Sequence, residues 1–393
     1  MISVALYSNF PFSNQAGTEK VIQIFCKWLL DNGNSPRIVL FLNDKEISTP
    51  VCEWLKEIKV ERYRYPFNKL VRLRRFLRVS VALPPENLMK FVLEDWGKNG
   101  VPEFAIAISF PEILPALKMA LKKCSQNCVV LNWDHTSLLN YYYQITRENH
   151  PLRRVYALLL LPILRRSLPF ADWHLAISSD IKNLILKFHR EAKIALIYNP
   201  VDFNNSKLIP RSKNPIFLFV GRIDDEHKNL TFMFKGLSLL KGREWRLIII
   251  GKGKDEEKLR EYAKNLSIQK NIEWSGYKEY PFEEIQECTA LLLTSRFEGF
   301  ALVIAEANAH GIPVISSNCL GGPKDIVIEG VNGYLFPEGD LPSFVRLLEL
   351  AIDGELSFAC PEEIQKTVFN FSLEHYLSKL QKIFQERSPD LEP

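Results

Sequence analysis

The chain has 393 residues, 47% of them hydrophobic and 24% charged, with a formal net charge of +4. That length exceeds what a single core usually holds, so two domains are expected, and the composition excludes a disordered or low-complexity protein. The mild charge is no signature of nucleic-acid binding, and no apolar run reaches the ~20 residues of a spanning helix.

The opening MISVALYSNF reads as an apolar strand without a basic leader or cleavage site, so no secretory signal is expected. Ile2 to Tyr7 leads into a polar loop ending at Gly17, a helix from Glu19 to Leu30, a stop at Gly33 and a strand from Arg37 to Leu42. Strand, loop, helix and strand in that order open a doubly wound α/β domain. The loop lacks the GxGxxG of a dinucleotide site, and Gly17 with Glu19 offers a small residue at a helix start. Seven cysteines at 26, 52, 124, 128, 288, 319 and 360 include one close pair, Cys124 and Cys128, with no second pair or histidine cluster. They read as reduced thiols of a cytoplasmic protein, and no metal site is expected.

From Arg62 to Lys90 the rhythm breaks. Arg62, Arg64, Lys69, Arg72, Arg74, Arg75 and Arg78 alternate with Tyr63, Tyr65, Phe67 and Phe76. Leu70, Leu73, Leu77 and Val81 would share a helix face, the pattern of a basic interfacial helix on an anionic membrane surface. A solvated face of an ordinary helix fits as well, and no nucleic-acid motif accompanies the cluster. Tyr141 to Tyr143, Arg147, Arg153, Arg154, the run Tyr156 to Leu164, Arg165 and Arg166 repeat the signal. Between these segments, Phe104 to Ser109 and Val129 to Asn132 read as buried strands. His135 follows the second, at the strand end where an open sheet places its ligand, or sits satisfied in a loop. Trp173 to Ile177 is a further strand, with Ser178, Ser179 or Asp180 positioned to cap the next helix. Asn199-Pro200 closes this half.

Ile216 to Val220 begins a second α/β domain and runs directly into Gly221-Arg222 and then Asp224-Asp225-Glu226-His227-Lys228. Arg222 and Lys228 are two cations able to flank a diphosphate, one as a fork and one as a mobile point charge. Arg246 to Ile250 ends in Gly251-Lys252-Gly253, and Ile272 to Trp274 leads to Gly276-Tyr277, where Tyr277 borders a base or simply packs.

The stretch Leu291 to Phe336 holds the densest signal. An apolar strand ends in Thr294-Ser295-Arg296, Glu298 follows in a turn, and a helical pattern runs from Ala301 to His310 with Glu306 on it. Eight helical residues would separate two carboxylates by about 12 Å, too far to share one bond. The spacing suits two grips on a long polar ligand, with the amides of Gly299, Phe300 and Ala301 opening a helix N-terminus between them. A turn acid and a solvated helix acid are the plainer alternative. Helices from Pro342 to Asp353 and Ser372 to Phe384 follow, and the tail from Ser388 to Pro393 reads as disordered.

Taken together, Gly17 with Glu19, His135, Gly221-Arg222 with Lys228, Gly251-x-Gly253, Glu298-x7-Glu306 and Glu329-Gly330-Val331-Asn332-Gly333 resemble the retaining GT-B glycosyltransferases of family four. HLAISSDIK, YNPVD, LLLTSRFEGF and GGPKDI are similar to segments of bacterial lipopolysaccharide-core galactosyltransferases. The resemblance implies two Rossmann-like doubly wound parallel-sheet domains facing across a cleft. Their expected limits are 1–200 and 201–368, with a terminal segment 369–393 returning to the first. It implies a nucleotide-sugar donor as substrate, UDP-linked galactose or glucose by family habit, with no separate cofactor and no metal. Arg222 and Lys228 would hold the diphosphate, Glu306 the ribose, and Glu298 with its following amides the sugar. His135 would reach that sugar. Gly17, Gly221, Gly251 and Tyr277 would border the nucleotide. Ala16 stands where the family commonly carries a glycine. The expected acceptor is a glycolipid or lipopolysaccharide core at the inner face of the cytoplasmic membrane. A GT-B sugar-nucleotide epimerase and a non-catalytic partner subunit remain as alternatives.

Overall fold

The computed structural model describes residues 2–8, 17–42, 53–64, 85–135, 137–146, 151–201, 206–240 and 242–386. Ala16, Lys69, Arg72, Arg74, Arg75, Arg78, Arg147 and the tail after 386 lie outside the described residues, as does the helix expected around Leu70 to Val81. The chain forms two compact units. One runs to Ile197 and includes the chain from Lys379 on, and the other is Tyr198–Ser378.

The first unit is built on seven strands: β1 (Ser3–Ser8), β2 (Ser35–Leu42), β3 (Lys59–Arg64), β4 (Phe104–Ile108), β5 (Val129–Asp134), β6 (Trp173–Ala176) and β7 (Ile194–Leu196). They are ordered β3-β2-β1-β4-β5-β6-β7, with every neighbouring pair parallel. A parallel sheet is covered by helices on both faces, so its inner strands read as unbroken apolar runs. Every residue of FAIAI in β4 is buried accordingly. The edge strand β3 takes up the first two arginines of the basic segment. Arg62 and Arg64 flank the buried Tyr63 in a half-exposed strand, because an edge strand needs only one apolar face.

A polar network pins this core. Trp96 Nε1 donates to Tyr7 Oη at 2.8 Å, Tyr7 donates to Asp95 at 3.1 Å, and Arg37 Nη2 donates to the same carboxylate at 3.0 Å. Phe384, from the last helix Leu373–Glu386, packs its ring on Phe25, Trp28 and Phe104. The helix Ser179–Phe188 is capped by Ser178, whose hydroxyl accepts from the Ile181 amide, and not by Asp180.

The second unit has six parallel strands: β8 (Ile216–Val220), β9 (Arg246–Ile250), β10 (Ile272–Gly276), β11 (Ala290–Leu293), β12 (Val314–Asn318) and β13 (Gly333–Pro337). Their order is β10-β9-β8-β11-β12-β13. Phe217, Phe219, Leu247, Ile249 and Leu292 pack under the helix Leu230–Ser238, whose Met233 and Phe234 are fully buried. Strand order reverses between β8 and β11, so the loops leaving their carboxyl ends part and open a crevice there. The described cysteines, Cys26, Cys124, Cys128, Cys288, Cys319 and Cys360, are free thiols, and burial pushes Cys288 up to about 12. Among the described residues no helix is long and apolar enough to cross a membrane.

Candidate nucleotide-sugar site

The crevice at the β8/β11 switch point is assembled from two loops stitched to each other. After β8 the chain passes Gly221, Arg222 and the buried Ile223 into the short helix Asp225–Lys228, closed by Asn229 in the left-handed conformation at φ 54°. After β11 come Thr294 and Ser295, both buried. Thr294 Oγ1 donates to the carbonyls of Lys228 and Asn229 at 2.9 and 3.1 Å. The Arg296 amide donates to the His227 carbonyl at 2.9 Å, and its guanidinium to Asn229 Oδ1 at 2.9 Å. These bonds carry two residues 70 positions apart into direct contact: Lys228 Nζ lies 2.6 Å from Glu298 Oε1. Ser295 Oγ donates to the same oxygen at 2.5 Å. The two side chains are only 17% and 13% exposed, so the ion pair is poorly hydrated and geometrically fixed.

Two further contacts set where Glu298 sits. Its amide donates to the Leu320 carbonyl at 2.9 Å. Gly321 lies so close that a Cβ there would stand 1.5 Å from the Glu298 carbonyl oxygen, and one at Gly322 would stand 2.0 Å from that of Phe300. Neither glycine was singled out as a site residue by spacing. The signal available was the doublet Gly321-Gly322, set off from the end of β12 by two residues, and Ser295 was visible only as part of a polar turn.

The helix after the turn begins one residue later than its periodicity predicts. Leu302–Ala309 is helical, and Ala301 precedes it in the left-handed conformation at φ 63° and ψ 51°. A non-glycine residue there costs roughly 1 kcal/mol, and such strain concentrates at functional turns. The Ala301 amide is therefore part of the turn and not of the helix's first residue. Gly299 is buried, and so is Phe300, whose ring lies against those of Tyr198 and Phe371 at 5.5 and 5.3 Å. Glu306 is half-exposed on the helix.

Arg222 is 65% exposed, with Nε 4.0 Å from Asp224 Oδ2. Asp224 organises this loop: its Oδ2 meets His227 Nδ1 at 2.8 Å and its Oδ1 faces Lys254 Nζ at 3.3 Å. Burial raises this carboxyl's pKa, but the His227 hydrogen bond and charge, with Lys254, outweigh it and hold the group well below the usual range. Gly221 and Gly251 are packed backbone on backbone, a Cβ at Gly251 falling 1.8 Å from the Gly221 carbonyl oxygen. Gly253 stands in the same relation to Ile223, at 2.1 Å from its oxygen. The GxG after β9 thus lets two loops touch. Tyr277 lies past β10, 44% exposed, with Lys252 Nζ 4.6 Å from its ring centroid. Asn332 is a buried tie: it donates to the Ile326 carbonyl and Thr367 Oγ1 and accepts from the Ile328 amide.

His135 and Gly17 belong to the first unit. Gly17 is exposed at the start of the helix Gly17–Asp31. His135 follows β5, 1% exposed, its ring 4.8 Å from that of Trp133 and its amide donating to Ser109 Oγ at 3.0 Å. Neither ring nitrogen has a hydrogen-bond partner among the described residues. Burial lowers its pKa to about 3, and that of His174 to about 4. Such an orphaned imidazole is a neutral group with a donor and an acceptor unspent. Both folded values lie below the ordinary 6.5. The unfolded chain therefore takes up protons that the folded chain refuses as pH falls through 6.5, and stability drops. For each ring the loss is about 1.4 kcal/mol at pH 5.5. Urea melts at pH 7.5 and 5.5 should show this slope, made shallower in His135→Phe; an unchanged slope in that variant would place His135 in contact with solvent.

Residues 201–366 match the family model described as glycosyl transferases group 1. The chain is 36% identical over 315 residues to the lipopolysaccharide 1,6-galactosyltransferase of Salmonella typhimurium, covering 78% of this chain and 77% of that protein. It is 36% identical over 300 residues to the Escherichia coli K12 protein of the same description, covering 74% and 77%. Among solved structures, the apo form of the lipopolysaccharide outer core galactosyltransferase WaaB superposes with a TM-score of 0.77 at 29% identity, covering 98% of this chain and 99% of that one.

Proposed function

We propose, from the premise that this chain belongs to the glycosyl transferases group 1 family, that it moves a hexose from a UDP-sugar to a lipopolysaccharide-core acceptor. Galactose is the sugar we assign, supported by the two relatives named as 1,6-galactosyltransferases. The fold is GT-B and the chain is a glycosyltransferase; the donor, the acceptor, retention and independence from metal are our reading.

The observation that carries it is the Lys228–Glu298 pair, a cation and a carboxylate 2.6 Å apart at the switch point of a parallel sheet. A sugar diphosphate presents the complementary groups side by side, phosphate oxygens next to vicinal hydroxyls. In this reading Lys228 and Arg222 meet the diphosphate, and Glu298 accepts from sugar hydroxyls together with the amides of Gly299, Phe300 and Ala301. Glu306 accepts from the ribose, Tyr277 borders the base, and Gly221 and Gly251 allow close backbone approach. The bond from the anomeric carbon to phosphate breaks with its electron pair going to the phosphate oxygen. Arg222 and Lys228 stabilise that charge. The acceptor hydroxyl bonds to the same face of the carbon and passes its proton to the departing phosphate, so configuration is retained. The acceptor places the protein at the inner face of the cytoplasmic membrane.

A thermal-shift screen tests the donor. A UDP-hexose at about 100 times its Kd stabilises the folded chain by about 2.7 kcal/mol, a rise on the order of 5–10 °C. UDP-galactose is expected to give the rise, and GDP-mannose none. Equal shifts from both, or from neither, would overturn the donor assignment.

A further inference from the structure

We propose that the outward face of the helix Pro151–Ser167 seats this chain on an anionic phospholipid bilayer, an inference that rests on the membrane-borne acceptor of the preceding reading. The helix packs on the helix Ser137–Thr146 and on the turn Pro111–Ile113. Its inner face is ordinary core, with Ala157 and Leu164 fully buried. The opposite face is not: Val155, Leu158 and Ile163 are 54%, 48% and 41% exposed, Pro162 is exposed between them, and Phe170 in the following turn is 39% exposed. Val155, Leu158 and Pro162 recur at i, i+3 and i+7, so they form one stripe. Single exposed apolar side chains need no explanation, but a stripe of them at helical spacing is an interaction surface.

Charge identifies the occupant. Arg154, Arg165 and Arg166 are exposed beside the stripe, and no aspartate or glutamate occurs from Pro151 to Ala171. A second copy meeting this face through the same face would set arginines against arginines with no acid on the helix to relieve them. A bilayer surface rich in anionic headgroups supplies both requirements. Its phosphates meet the guanidinium groups, and its acyl boundary takes the apolar side chains between them.

The test is co-sedimentation of the full chain with vesicles of phosphatidylethanolamine and phosphatidylglycerol at about 3:1, against phosphatidylcholine alone, at roughly 0.1 and 0.5 M salt. Wild-type protein is expected to bind the anionic vesicles at least about tenfold more tightly. Leu158→Ser with Ile163→Ser should weaken binding about tenfold or more at both salt concentrations. Arg165→Gln with Arg166→Gln should weaken it mainly at low salt. All four side chains are exposed, so the melting temperature should stay unchanged. Unchanged vesicle binding in the Leu158/Ile163 variant overturns the proposal. So does a wild-type dimer that this variant converts to monomer without any vesicle binding. Wild-type protein that turns over nucleotide sugar but binds no vesicles removes this inference alone; wild-type protein that binds vesicles but shows no turnover removes the transferase reading alone.

Discussion

Glu298→Ala is expected to lower hexose transfer by about 10²–10³-fold, the size of effect that follows removal of one preorganised polar partner of a transition state. Lys228→Ala is expected to act on the same scale. The fold should survive both. Removing the carboxylate leaves the Lys228 ammonium, 17% exposed, without its partner, at a cost of about 1–3 kcal/mol. That is a tolerable fraction of the 5–15 kcal/mol, roughly, that holds a domain together. Because the two groups touch, their effects should not add. The double variant is expected to be little worse than either single one, and the coupling energy measures how far they act as a unit. Glu298→Gln separates charge from shape, since its amide oxygen can still accept from Ser295. The readouts are kcat/KM with a soluble acceptor and a thermal melt. Full activity in both alanine variants would end the assignment of this site.

The second large effect is expected at Gly321→Ala, a residue with no functional group. Its φ is +120°, and a Cβ would fall 1.5 Å from the Glu298 carbonyl oxygen and 2.6 Å from its carbonyl carbon. Backbone cannot yield as a flexible side chain does, so the Glu298 turn must move. A displacement of about 1 Å in a positioning group costs on the order of 10²-fold in rate, and the strain adds about 1–3 kcal/mol of lost stability. Gly354→Ala is the control: it too has a left-handed φ, +73°, but nothing lies within 4 Å of its added methyl. It should lose some stability and keep its transfer rate. If Gly321→Ala behaves like Gly354→Ala, the close approach of Gly321 does not position Glu298.

Most of the second sheet was readable from residues because its strands are buried on both faces. Ile216–Val220 and Arg246–Ile250 coincide with their apolar runs, each bounded by a glycine that ends the strand. The strands β3 and β13 were not readable, for one physical reason. An edge strand with one solvated face mixes charge and apolar residues, as in Lys59–Arg64, or carries half-buried side chains, as in Gly333–Pro337. The site residues Arg222, Lys228, Glu298 and Glu306 stood out as charged groups at strand ends and on the following helix. Their mutual arrangement did not, since the Lys228–Glu298 contact exists only because a parallel sheet sets β8 beside β11. Ala301 shows the limit at one residue: nothing in an alanine announces a left-handed backbone, and only the packing of the turn imposes it.

The most direct measurement is mass spectrometry of a purified lipopolysaccharide-core acceptor incubated with UDP-galactose and the wild-type, Lys228→Ala or Glu298→Ala protein. The acceptor is expected to gain one hexose with wild-type protein and none at equal times with either variant. Conversion of UDP-galactose to an isomeric nucleotide sugar with the acceptor unchanged would contradict the account, as would a hexose gain that both variants retain in full.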